Sequence, residues 1–182
     1  MENEHFMKDL LDKLSSYNIF NYLFPGVIFA VIGTEVSAFK FLADDIVVGA
    51  FLYYFYGLVI SRIGSLLVEP FLKKIKLVRF ASYAEFVAAS QVDEKIDILS
   101  EQNNMYRTLA STFLCVLILL ILEWLHGIVP SLYNYALQST LLFLLTLFVW
   151  SYRKQTAYIS ARVAKTLKIQ SVQPRTDQGN DR

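Results

Sequence analysis

Polar residues are unevenly spaced along this chain, and the gaps between them are long enough to be membrane spans. No charge occurs from Ser15 to Thr34, and Tyr17–Ile32 (YNIFNYLFPGVIFAVI) is almost wholly apolar. Asp44 and Asp45 are followed by Ile46–Val68, interrupted only by Arg62. A third apolar stretch runs from Thr108 to Ile128, with Glu123 and His126 in its last turns. Beyond Pro130 a fourth, Ser131–Tyr152, continues for 22 residues without a charge. The hydrocarbon layer is about 30 Å thick and a helix rises about 1.5 Å per residue, so about 20 apolar residues cross it. The pattern predicts an all-α fold: a four-span transmembrane helical bundle with helical extensions outside the membrane. Pro25-Gly26 predicts a kink or tilt in the first span.

The intervening segments also read as helical. Residues 1–16 (MENEHFMKDLLDKLSS) place Phe6, Leu10, Leu11 and Leu14 at helical spacing, which predicts an amphipathic helix lying on the membrane surface rather than a cleavable signal peptide. Residues 17–68 hold the first two spans and a short loop. Residues 69–107 form a helical segment outside the membrane, since neither Gly nor Pro occurs between Pro70 and Gly127. Within it, Phe71–Phe80 predicts an interfacial helix with apolar residues on one face and Lys73, Lys74, Lys76 and Arg79 mostly on the other. Ser82 and Glu85 form a capping box opening a short helix, and Ser90–Asp93 is a second start for a helix that continues into the third span. Residues 108–152 hold spans three and four. Residues 153–170 extend the fourth as a basic helix, with Ile159, Val163 and Leu167 in one stripe and Lys154, Arg162 and Lys165 in another. Residues 171–182 read as a polar, flexible tail.

Composition agrees with this plan. The 182 residues are 55% hydrophobic with a mean hydropathy of +0.41, and 18% are charged, against about 25% in a soluble domain. The net charge of +1 hides a strong asymmetry. Of 17 Lys and Arg residues, 16 fall in the termini and the connection after span two; only Lys40 lies on the other side. Cytoplasmic flanks accumulate such residues, which predicts a multi-pass membrane protein with both termini in the cytoplasm.

Candidate functional residues are few. Gly57, Ser61 and Ser65 recur every four residues with Gly64 alongside, a small-residue stripe that lets helices approach closely, within one subunit or between subunits. Homo-oligomerisation is expected. Arg62, Glu123 and His126 are the ionisable groups at membrane depth. An Arg62–Glu123 bond is not expected, because the two lie about 9 Å and about 22 Å from the inner ends of their helices. Arg62 instead reaches toward headgroups or Glu69, and Glu123 and His126 suit the outer interface. The basic residues Lys73, Lys74, Lys76, Arg79, Lys154, Arg162 and Lys165 are candidates for docking a partner or lipid. The two histidines are far apart, and HExxH, paired CxxC, GxSxG and P-loop motifs are missing, so no catalytic, cofactor or metal residue is assigned and the chain is not expected to be an enzyme.

The stretches SSYNIFNYLFPGVIF (Ser15–Phe29), YGLVISRIGSLLVEPFLKK (Tyr56–Lys74) and LSEQNNMYRTL (Leu99–Leu109) resemble the membrane subunits of Kiwa-type antiphage systems, small bacterial membrane proteins encoded beside antiviral genes. A looser similarity is to multi-pass accessory proteins of CRISPR loci. The resemblance implies an oligomeric sensor and anchor in a bacterial inner membrane that works with a cytoplasmic effector protein of the DNA-binding kind, with no direct nucleic-acid binding by this chain. It carries over no functional residue. The alternative is a pore-forming effector that depolarises the infected cell, for which Tyr53, Tyr56, Gln138, Glu123 and His126 are the available polar residues. A proton-coupled exporter or a purely structural assembly factor are further readings.

Overall fold

The structure is a computed structural model that describes residues 18–172, with side chains to residue 164. The N-terminal amphipathic segment and most of the polar tail lie outside these residues. Among the described residues all regular structure is helical. The elements are a π turn, Ile19–Leu23, running into α1 (Phe24–Val36); α2 (Ile46–Ile63), running through a second π turn, Gly64–Val68, into α3 (Glu69–Lys74); α4 (Tyr83–Ser90); α5 (Lys95–Ile128); and a 3-10 turn, Pro130–Tyr135, leading into α6 (Ala136–Val172). Four continuous helices are long and apolar enough to cross a membrane: Ile19–Val36, Ile46–Lys74, Lys95–Ile128 and Pro130–Ala164. They mark the chain as a membrane protein. The first helix ends at Val36 rather than Ile32, because Gly33, Thr34 and Glu35 continue the turn and Ser37 is the first extended residue.

Both π turns have the same cause. A proline within a helix has no N–H to donate, and its ring crowds the carbonyl four residues back. Pro25 and Pro70 each sit two residues beyond a π turn, and in each case the intervening residue donates five residues back: Phe24 N–H to Ile19 O and Glu69 N–H to Gly64 O. Widening one turn lets the helix pass its proline without ending.

Spans one and two cross with their backbones in contact. A Cβ on Gly57 would lie 1.7 Å from the carbonyl oxygen of Tyr22, and one on Gly26 would lie 1.7 Å from that of Tyr53. The small-residue stripe thus faces a neighbour in the same chain. Beyond this crossing the helices diverge, and the 37–45 loop fills the wedge. Phe41 packs edge-on against Phe29 and Tyr56, with ring centroids 5.0 and 6.0 Å away. Its N–H donates to Thr34 Oγ1 at 3.0 Å, and Ala43 N–H donates to the Tyr53 hydroxyl at 3.2 Å. Asp45 then caps α2 by accepting from Val47 and Val48 N–H.

The helix expected over Phe71–Phe80 is shorter in the structure. It stops at Lys74 in a Schellman motif: Leu77 N–H donates to Leu72 O, Lys76 N–H donates to Lys73 O, and Lys76 takes the left-handed conformation at φ 62°. Neither Gly nor Pro announces this ending. The Ser82–Glu85 capping box forms in full, with Ser82 N–H donating to Glu85 Oε2 at 2.8 Å and Glu85 N–H to Ser82 Oγ at 3.2 Å. These bonds hold the Glu85 carboxyl below its usual pKa. The α4 helix packs Val87 against the bundle, and Asp93 Oδ1 accepts from Lys95 N–H as α5 begins. With 34 residues in α5 and 37 in α6, the two helices are about 51 and 55 Å long and overrun a 30 Å core by about 20 Å or more. Helix α6 is the least enclosed: 6% of its most apolar window is buried, against 22–28% for the other three.

Candidate functional site

The interior of the bundle is polar at one end. Asn21, Ser61, Ser65, Glu69, Thr108, Ser111 and Thr112 are all buried, while large apolar side chains face outward. Lipid-facing surfaces demand this arrangement, since a hydroxyl or amide gains nothing from hydrocarbon and must find a partner inside. Thr108, Ser111 and Thr112 lie at i, i+3 and i+4 on one face of α5, and their hydroxyls donate back to the carbonyls of Asn104, Arg107 and Thr108 at 2.8–3.0 Å. Thr108 Oγ1 also lies 2.9 Å from Asn21 Oδ1 and 3.3 Å from Ser61 Oγ, joining three spans. A hydroxyl has one proton to give, and Asn104 O and Asn21 Oδ1 both ask for it, while Asn21 Nδ2 has no partner. Exchanging the amide nitrogen and oxygen of Asn21 satisfies Thr108 on every side.

One turn further out the seam becomes charged. Glu69 Oε2 accepts from Arg107 Nη1 at 2.6 Å and Oε1 accepts from Lys73 Nζ at 2.7 Å, with the Glu69 and Arg107 side chains 11% and 17% exposed. Lys154 of α6 donates to the backbone oxygen of Ser65 at 2.7 Å and to its hydroxyl at 2.8 Å. The reason lies in the second π turn. Its i→i+5 pattern would next pair the Ser65 carbonyl with the N–H of Pro70, which does not exist. The Lys154 ammonium fills that vacancy and fastens α6 to α2. Lys154 also interacts electrostatically with Glu69, Arg107, Lys73 and Arg62. The basic end of the bundle therefore gathers Lys73, Arg107 and Lys154 around the Glu69 carboxylate, with Arg62, three residues before Ser65 on α2, beside Lys154.

The predicted site residues separate into groups. Gly57, Ser61, Gly64 and Ser65 all face the seam or the helix crossing; a Cβ on Gly64 would lie 2.6 Å from Ser111 Oγ. Of the residues expected to dock a partner, Lys154 is turned inward onto Ser65, and Lys73 stays exposed while its ammonium is engaged by Glu69. Lys74, Lys76 and Arg79 are exposed around the Schellman turn, so the basic face is a loop edge rather than one side of a helix. Arg162 lines a groove with Tyr83, Gln155, Tyr158, Ile159 and Val163, and the Lys165 side chain lies outside the described residues. Arg62 is half-buried, and Glu69 is held by Arg107 and Lys73 instead.

Glu123 and His126 lie at the opposite end, where they join the two loops. Glu123 accepts from the Tyr133 hydroxyl and, at 3.2 Å, from Ala38 N–H. The His126 ring stacks on Tyr133 with centroids 3.7 Å apart and planes 4° from parallel, and Phe39 packs on Tyr133 at 4.9 Å. This clasp ties the 37–45 loop to the 3-10 turn through α5. Of the polar residues considered for a pore, Tyr53 and Glu123 are bonded to loop backbone and Gln138 is exposed on the outer surface of α6.

Sequence reasoning did not single out Asn21, Thr108, Ser111, Thr112 or Arg107. The i, i+3, i+4 hydroxyls inside an apolar run, and the two prolines inside spans, were the available signals. Among the described residues no group of three or more His, Cys, Asp and Glu is placed to hold a metal ion. No protein-family model, curated protein or solved structure matches the chain.

Proposed function

We propose that the protein is an oligomeric inner-membrane sensor and anchor of bacterial antiphage defence, with both termini cytoplasmic, whose basic end docks and regulates a cytoplasmic effector. The observation that carries this reading is the helical layer beyond the bilayer. Val92 is 90% exposed, Leu77 71%, Ile98 56% and Val163 53%. Ile98 lies ten residues before Thr108 and Val163 eleven after Tyr152, about 15 Å outside the apolar spans. Apolar side chains at that distance have no lipid to cover them, and such exposed apolar surface outside the bilayer supports an interaction role. Lys74, Lys76 and Arg79 border the same layer and suit an acidic partner surface. The one-sided Lys/Arg distribution supports the orientation, and the resemblance of Ser15–Phe29, Tyr56–Lys74 and Leu99–Leu109 supplies the antiviral setting.

The test is a triple charge reversal, Lys74→Glu, Lys76→Glu and Arg79→Glu, expressed from the native gene neighbourhood. Membrane insertion and expression should be unchanged while phage protection is lost. Full protection by the triple variant refutes the docking reading.

A further inference from the structure

The seam at the basic end carries more positive charge than its own carboxylate can balance. Arg107 and Lys73 share Glu69, Lys154 is spent on the Ser65 carbonyl, and Arg62 has no hydrogen-bond or ion-pair partner among the described residues. Arg107 Nε is buried without an acceptor. A cluster of four cations and one anion at the edge of the hydrocarbon layer costs self-repulsion and desolvation unless an anion completes it. The ends of spanning helices are where phosphate headgroups lie, and basic pockets between helices on the cytoplasmic side are suited to anionic lipid.

We propose that the half-buried cluster of Arg62, Arg107 and Lys154 binds the phosphate of an anionic phospholipid headgroup, with Arg62 as its principal free donor. Arg62 supplies a planar guanidinium that can hold two phosphate oxygens at once, and the acyl chains lie along the outward apolar face of α6. Lys154 then has two tasks: it satisfies Ser65 and faces the bound phosphate. The site is distinct from the exposed Lys74–Arg79 edge and does not depend on which protein, if any, docks there.

The experiment uses the full-length protein reconstituted in nanodiscs of equimolar phosphatidylglycerol and phosphatidylcholine, followed by native mass spectrometry of retained lipid. Wild type should retain phosphatidylglycerol selectively. A charge-assisted hydrogen bond to phosphate outweighs diffuse surface attraction, so Arg62→Gln should reduce the selectivity about tenfold or more. Because Arg62 has no hydrogen-bonded protein partner to strand and its loss relieves repulsion on Lys154, the unfolding midpoint of the variant in detergent should not fall below the wild-type value. Lys74→Gln, which removes a charge from the exposed edge, should leave selectivity unchanged. Equal retention of the two lipids by wild type overturns the proposal without reference to any variant. An equal loss in Lys74→Gln means diffuse surface attraction rather than a site. Displacement of phosphatidylglycerol by millimolar inorganic phosphate means a site for free anions rather than for lipid.

Discussion

Adding one methyl group at Gly57 tests the crossing that organises the bundle. The new Cβ would stand 1.7 Å from the Tyr22 carbonyl oxygen. Carbon and carbonyl oxygen approach no closer than about 3.3 Å, so the helices must separate by about 1.6 Å along that line. The obstacle is backbone on both sides, and rotating a side chain cannot relieve it. A gap of 0.5–1 Å already forfeits about a quarter to a half of a dispersion well, so the Gly26–Tyr53 contact on the other side of the crossing opens as well. Overpacking of this kind costs about 1–3 kcal/mol, and more where the backbone resists. For a chain of this size that corresponds to about 3–10 °C in Tm. The assay is thermal unfolding of detergent-purified protein followed by near-ultraviolet circular dichroism, which reports the loss of fixed aromatic packing. Gly127→Ala is the control, because nothing lies within 4 Å of a Cβ there, and alanine's helix propensity should leave Tm unchanged or slightly raised. If Gly57→Ala melts with wild type, the first two spans do not cross at Gly26 and Gly57.

Two further predictions concern the fastenings at either end. Lys154→Met should destabilise by about 1–3 kcal/mol by leaving the Ser65 carbonyl without a donor, whereas in a Pro70→Ala background, which restores a backbone N–H, the same substitution should cost much less; additive effects in the double-mutant cycle refute the pairing. Glu123→Ala should release the clasp, and hydrogen exchange at Ala38 N–H should accelerate about tenfold or more as the loop opens; unchanged protection of that amide refutes the clasp.

The four spans are legible in the sequence because apolar runs of about twenty residues holding at most one Asp, Glu, Lys or Arg have few competing explanations. The Ser82–Glu85 capping box is equally plain, since both halves of the motif are local in sequence. The ending of the helix at Lys74 is not legible, because the left-handed position that usually carries glycine carries Lys76. A lysine just past an apolar run reads as a solvent-facing charge, and Lys154 goes inward only because Pro70, 84 positions earlier, has freed a carbonyl at the right depth. The seam follows the same logic. Asn21, Ser61 and Thr108 are each tolerable alone in an apolar helix, and their meaning lies in meeting across three spans, which no local pattern encodes. The small-residue stripe is visible at Gly57, Ser61 and Ser65, but its partner becomes identifiable only when Gly26 is seen against Tyr53.

The loose enclosure of α6 has a mechanical side. Within the spans the helix is held near Leu147, by Phe148 stacked on Phe55 at 6.3 Å and by Lys154 on Ser65. Eighteen residues separate Lys154 from Val172, an arm of about 27 Å. A tilt of about 10° at that fulcrum sweeps the tip through about 5 Å, the pitch of one helical turn. Tyr158 rests on Tyr83 with ring centroids 5.7 Å apart, so the same swing is registered at the start of α4. Because α6 is one unbroken helix, any tilt imposed on the loosely held half before Lys154 would reach the arm beyond it undiminished.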